Sequence, residues 1–189
     1  MNKKVLIISA VCGILFFSCG KDKKESKTSE AEKPKTEKSE KVDLNATETK
    51  SEVVFADTVA NKVYQQYLLV KKGLVNADNA YVREEAKKME LAIPENEMLK
   101  QLKYTANLIA LNRDIKKQRD FFKTLTEETE KLIGNATISS GEVYKQFCPM
   151  AFEGEGGYWL SDSKEVRNPY YGDKMLKCGK VDQVIGLGL

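Results

Sequence analysis

Apolar residues spaced three and four apart dominate the middle of the chain. Phe55, Val59, Val63, Tyr67, Val70 and Leu74 recur as one helical face. Asp78 offers an N-cap for a second helix running to about Leu91, and Pro94 ends it. Leu99, Leu102, Ala106 and Ile109 share one side of a third helix. Asp114 can cap a fourth, in which Ile115, Phe122, Leu125, Thr129 and Leu132 line up, and Gly134 stands where a helix stop belongs. Short links between four amphipathic helices predict a mainly α fold, an up-down four-helix bundle. From Gly141 onward the helical period is gone. Val143, Lys145 and Phe147 alternate with Tyr144 and Gln146, which predicts a short strand. Glu153 to Gly157 reads as a turn, Tyr158 to Leu160 as a second short strand, and Asn168 to Gly172 as an aromatic turn. The tail after Val181 is expected to be loose. A small C-terminal motif of short strands and turns, about residues 141–181, thus follows the helices.

The front of the chain has two further patterns. Lys3 and Lys4 precede a nearly pure apolar run, Val5 to Phe17, which ends in Ser18 and Cys19. Basic, apolar, small is the order of a secretory leader, and the run is shorter than the ~20 residues a membrane span requires. Residues 15–20 (LFFSCG) resemble a lipobox, with Phe16 where Leu is more usual. The expectation is a lipoprotein signal peptide over residues 1–18 and lipidation of Cys19, giving a membrane partner through the lipid anchor. Gly20, rather than Asp, resembles the sorting pattern of an outer-membrane lipoprotein, facing periplasm or surface. Several acyl chains on one residue would hold firmly, at about 0.8 kcal/mol per buried CH₂. Residues 19–52 are then the acylated cysteine and a disordered charged tether: across 20–52 nine lysines offset nine acids, with almost no apolar side chains. One domain remains, residues 53–189.

The net charge of +3 changes little, because basic and acidic residues alternate and form no stripe. A nucleic-acid partner is not expected. Nor is an enzyme: no carboxylates pair distinctively, and a cysteine nucleophile would want a histidine in a chain that has none.

Candidate chemistry comes from sulfur. The predicted domain has two cysteines, each close to a methionine, in Cys148-Pro149-Met150 and Met175-Leu176-Lys177-Cys178. Two thiolates and two thioethers are soft ligands, which select Cu(I) over Mg²⁺, Ca²⁺ or Mn²⁺. Zinc usually takes cysteine and histidine and rarely a thioether, and the chain has no histidine. The competing expectation is a Cys148–Cys178 disulfide, in keeping with an extracytoplasmic protein, and composition alone favours it. Closing a loop of about 30 residues would stabilise by roughly 3–4 kcal/mol. Thiolate ligation and a disulfide exclude one another.

The segments 143–152 (VYKQFCPMAF), 157–161 (GYWLS) and 165–179 (EVRNPYYGDKMLKCG) resemble the closing signature of a bacterial domain family formally of unknown function. Asp114-Ile115, Gln118-Arg119 and Phe122 resemble its last long helix, so the likeness spans roughly residues 55–182. That family occurs alone in secreted lipoproteins, and as the C-terminal domain of periplasmic adaptor subunits of heavy-metal efflux pumps. The resemblance implies a helical bundle with a sulfur-bearing motif, copper or heavy-metal handling in the periplasm, and a heavy-metal efflux complex as partner. Carried over, the metal ligands are Cys148, Met150, Met175 and Cys178, framed by Trp159, Asn168, Pro169, Tyr170 and Gly172. One departure stands out: the family often has a histidine in its third helix, where this chain reads Asn96-Glu97-Met98-Leu99. The resemblance tips the balance from a purely structural disulfide towards Cu(I) binding.

Overall fold

The computed structural model describes residues 42–186. The expected leader, lipidation site and most of the tether lie outside them. Among the described residues four α-helices are followed by a small antiparallel sheet. The helices are α1 (Thr58–Val75), α2 (Asn79–Ala92), α3 (Lys100–Leu111) and α4 (Ile115–Gly134). Three begin on an aspartate whose carboxylate accepts an otherwise unpaired backbone N–H: Asp57 from Ala60, Asp78 from Tyr81 and Asp114 from Lys116. Each helix packs on the next, and α4 closes back on α1. Val63, Tyr67, Val70 and Leu74 of α1 meet Val82, Ala86 and Met89 of α2, Leu102, Ala106 and Ile109 of α3, and Phe122 and Leu125 of α4 in one buried core. No helix among the described residues is long and apolar enough to cross a membrane.

Several details differ from the pattern reading. Phe55 is buried but not helical: it lies in a two-residue strand β1 (Val54–Phe55), paired with β2 (Ile138–Ser140). Asp57 starts the helix only after it, and the Phe55 ring packs edge-on against Tyr64 at 5.3 Å. Gly134 is the last residue of α4 rather than its stop, and Asn135 caps the end. Beside Leu132, which is only partly buried, Ile133 supplies the buried contact. Residues 43–52, which composition gives to the tether, touch the domain. Asp43 pairs with Lys72 at 2.8 Å, Asn45 is buried, and Ser51 N donates to Asp162 O at 2.6 Å.

The second sheet is ordered β4–β3–β5, all antiparallel, from β3 (Val143–Cys148), β4 (Gly157–Ser161) and β5 (Lys180–Ile185). The tail expected to be loose after Val181 is thus an edge strand. Its Asp182, Gln183 and Val184 are exposed, so it carries little apolar signal and is held by backbone pairing to β3. Four attachments fix this sheet to the bundle. The Tyr67 hydroxyl shares a 2.8 Å hydrogen bond with Thr126 and accepts one from Leu160 N at 3.0 Å. Lys71 Nζ donates to Ser161 Oγ at 3.0 Å. Arg119 donates to Pro169 O at 2.9 Å and to Leu74 O at 3.0 Å. Lastly, the Phe122 ring stacks on Tyr67 at 5.0 Å and meets Tyr170 edge-on at 6.1 Å.

Candidate functional site

Cys148 ends β3, where it pairs across the sheet with Gly157 and is fully buried. Cys178 lies 30 residues further on, in the turn before β5, and is partly exposed. The fold brings their sulfurs to 2.9 Å, both as free thiols. Donation of the Cys178 S–H to the neighbouring Cys148 sulfur, helped by partial burial, pushes the Cys178 thiol up to about 11. The pair therefore retains a proton at neutral pH, and a metal ion would have to displace it.

The two methionines are near this pair in sequence but are not buried with it. Met150 is 52 % exposed and Met175 36 % exposed. The turns that carry them are tied together, since the Tyr171 hydroxyl donates to Met150 O at 2.5 Å. Met98 stands 84 % exposed in the turn ahead of α3. Among the described residues no three His, Cys, Asp or Glu side chains cluster closely enough to hold a metal ion.

The five frame residues surround the turn that bears Cys178. Asn168 is fully buried. Its side-chain amide donates to Cys178 O at 2.8 Å, while its carbonyl oxygen accepts from Tyr170 N at 2.8 Å and Tyr171 N at 3.3 Å. One side chain thus links both ends of the segment 168–178. Pro169 supplies the carbonyl that Arg119 grips. The Tyr170 ring sits edge-on to Trp159 at 6.0 Å, and its hydroxyl donates to Tyr158 O. Gly172 has φ +60, and a Cβ there would stand 2.8 Å from Val75 O and 2.9 Å from Arg119 Nη2. Gly179, absent from the expected frame, has φ +142, and a Cβ would come within 2.8 Å of the Trp159 ring. The residue after Cys178 therefore rests directly on the buried indole.

Two polar residues matter more than their sequence context suggested. Arg119 clamps the aromatic turn to the end of α1. Lys71, in α1, is only 2 % exposed. It borders a cavity of about 190 Å³ shared with Asn45, Lys50, Lys72 and Asp162. Burial lowers its ammonium pKa to about 8, against the opposing pull of Asp162. The sequence offered no sign of this: Lys71-Lys72 reads as solvated charge in a helix, and the first of the pair is buried where Ser161 of β4, Asp162 and Asn45 meet α1.

No curated protein and no solved structure matches the chain. The matched region of known family runs from within α1 to the turn after β2, and the sulfur-bearing strands lie beyond its end. Residues 63–141 match the model of a family described as protein of unknown function, DUF3347.

Proposed function

We propose that this protein is an envelope lipoprotein that binds a soft metal ion, Cu(I) foremost, for sequestration or hand-over to a heavy-metal efflux complex. The observation that carries the reading is the approach of two thiols, 30 residues apart in sequence, to 2.9 Å in a chain without histidine. Cys148 and Cys178 would be the primary ligands, with the thioethers of Met150 and Met175 at the exposed side. Such a donor set suits a soft monovalent ion of low coordination number and leaves hard cations unserved. Metal–thiolate bonds are about 2.3 Å long, as for zinc, so an ion between the sulfurs must push them apart. Cys178 is the one able to yield, being in a turn rather than a strand. The resemblance of residues 143–179 to the closing signature of efflux-adaptor domains supports copper as the cargo.

A second reading draws on the same contact: a helical structural or interaction module stapled by a Cys148–Cys178 disulfide, with no metal role. A Cu(I) titration of the reduced chain against a colorimetric chelator separates the two, with Cys148→Ser/Cys178→Ser beside it. Tight one-to-one binding that the double variant loses is the expected result. If the native chain fails to compete with the chelator, the copper reading falls and the staple stands.

A further inference from the structure

The two sulfurs are in contact but differ in access. Cys148 is fully enclosed at the end of the central strand, whereas Cys178, in a turn, is partly exposed. Both backbones are held independently of any bond between the sulfurs. Strand pairing fixes Cys148. Asn168 Nδ2 on Cys178 O, Met175 O receiving Cys178 N at 3.0 Å, and Gly179 against Trp159 fix Cys178. A disulfide can therefore open and close here while the frame stays in place. An incoming thiolate must approach along the axis of the bond it breaks. The partly exposed Cys178 sulfur is within reach of such a thiolate, and the enclosed Cys148 sulfur is not.

We propose that Cys148 and Cys178 are a thiol–disulfide exchange centre of fixed polarity, in which an external dithiol attacks Cys178 and Cys148 is the leaving sulfur. In the first step a partner thiolate bonds to the Cys178 sulfur, the Cys148–Cys178 bond breaks, and its electron pair leaves on Cys148 as thiolate. The second thiol of the partner, as thiolate, then attacks its own mixed-disulfide sulfur and expels the Cys178 thiolate. Both thiolates take up protons. Two electrons and two protons have passed to the pair, and the partner has become a disulfide. The reverse sequence oxidises the pair with a disulfide partner. This chemistry needs no metal. Where the soft-metal reading holds, it sets when the ligands become available, because only the dithiol can bind.

The test uses the full chain, oxidised at Cys148–Cys178 and kept metal-free with a chelator. It is exposed briefly to reduced glutathione and quenched with acid. Tryptic peptides then separate the two cysteines, since Lys164 and Lys177 lie between them. The glutathione adduct should sit on Cys178 in at least about tenfold excess over Cys148. Dithiothreitol should reduce the native chain without unfolding it. Adducts shared equally or found on Cys148, or a disulfide that opens only in denaturant, would overturn the proposal. Single variants give a second reading. With oxidised glutathione, Cys148→Ser should react at least about tenfold faster than Cys178→Ser while folded, and equally in denaturant; equal rates in the folded variants would count against fixed polarity. Loss of Cu(I) binding leaves these outcomes untouched, so the two proposals fail separately.

Discussion

The bundle and the sulfur-bearing sheet are held together by different means. Between the helices, stability comes from many apolar contacts of similar kind, such as Val63, Val82, Leu102 and Leu125, where one side chain of suitable volume can replace another. In the segment 143–185 few positions do most of the work, and each does something a substitute cannot. Asn168 bonds to three backbone groups, Gly172 and Gly179 admit no Cβ, and Trp159 is the floor under Gly179. A bundle specified by volume tolerates drift in sequence. A turn specified by atoms does not, and it is the turn that holds a reactive side chain in a set place. Trp159→Ala tests the contrast most severely, because the indole belongs to both regions. It is fully buried, and its removal should cost about 3–5 kcal/mol. Since it is the only tryptophan, circular dichroism in urea is the suitable measurement. A loss below about 1 kcal/mol would mean that the sheet is an appendage to an independently stable bundle.

The next largest effect comes from Lys71, a buried ammonium where the two regions dock. Below about pH 8 it is charged in both folded and unfolded states, and the folded chain carries the full desolvation penalty. Above its ordinary value of 10.5 it is neutral in both, and the penalty is gone. Stability should therefore rise with pH between those limits, by up to about 3 kcal/mol at 1.36 kcal/mol per unit. Cys178 opposes this. Its raised pKa stabilises the fold below 9.0 and that contribution fades as pH climbs through about 11. Burial also drives the Tyr64 and Tyr67 hydroxyls upward, so their ionisation destabilises the fold at still higher pH. The rise should be visible from pH 8 to 9 in urea midpoints, and Lys71→Met should flatten it. An unchanged slope in that variant would show that the ammonium is hydrated through the neighbouring cavity.

How much of this was legible beforehand follows the same division. The helices were readable because a buried face repeats every three to four residues and the aspartate caps Asp78 and Asp114 mark two of the starts. The reading failed where tertiary context overrides periodicity. Phe55 keeps the helical spacing but is taken into a strand by pairing with Ile138. The edge strand β5 has no apolar pattern to read, because its partner recognises backbone. The proximity of Cys148 and Cys178 was expected from their being the sole candidate pair in the predicted domain. Their unequal access was not, since burial depends on how β3 sits between its neighbours. The roles of Arg119 and Lys71 were not legible for a related reason: a long cation in an amphipathic helix looks like surface until something packs over it.

The smallest effect is the most discriminating. Asn168→Ala removes one donor and one acceptor from a fully buried position and leaves Cys178 O, Tyr170 N and Tyr171 N short of partners. The cost should be about 2 kcal/mol, felt where those groups are. The Asn168 side chain touches no helix of the bundle through these bonds, so the loss should appear as local opening rather than global unfolding. Amides of the turn Gly172–Met175 and of β5 should exchange with solvent roughly thirty-fold faster, while those at the centres of α1 and α4 keep their native rates. The Cys178 thiol should become easier to modify at the same time, because the amide that positions its carbonyl is gone. Uniform acceleration through both regions would show instead that sheet and bundle open as one unit, with Trp159 and Tyr170 transmitting the strain. In that case the sulfur pair would inherit its stability from the whole core, and the frame around it would be no more specialised than the helices beneath.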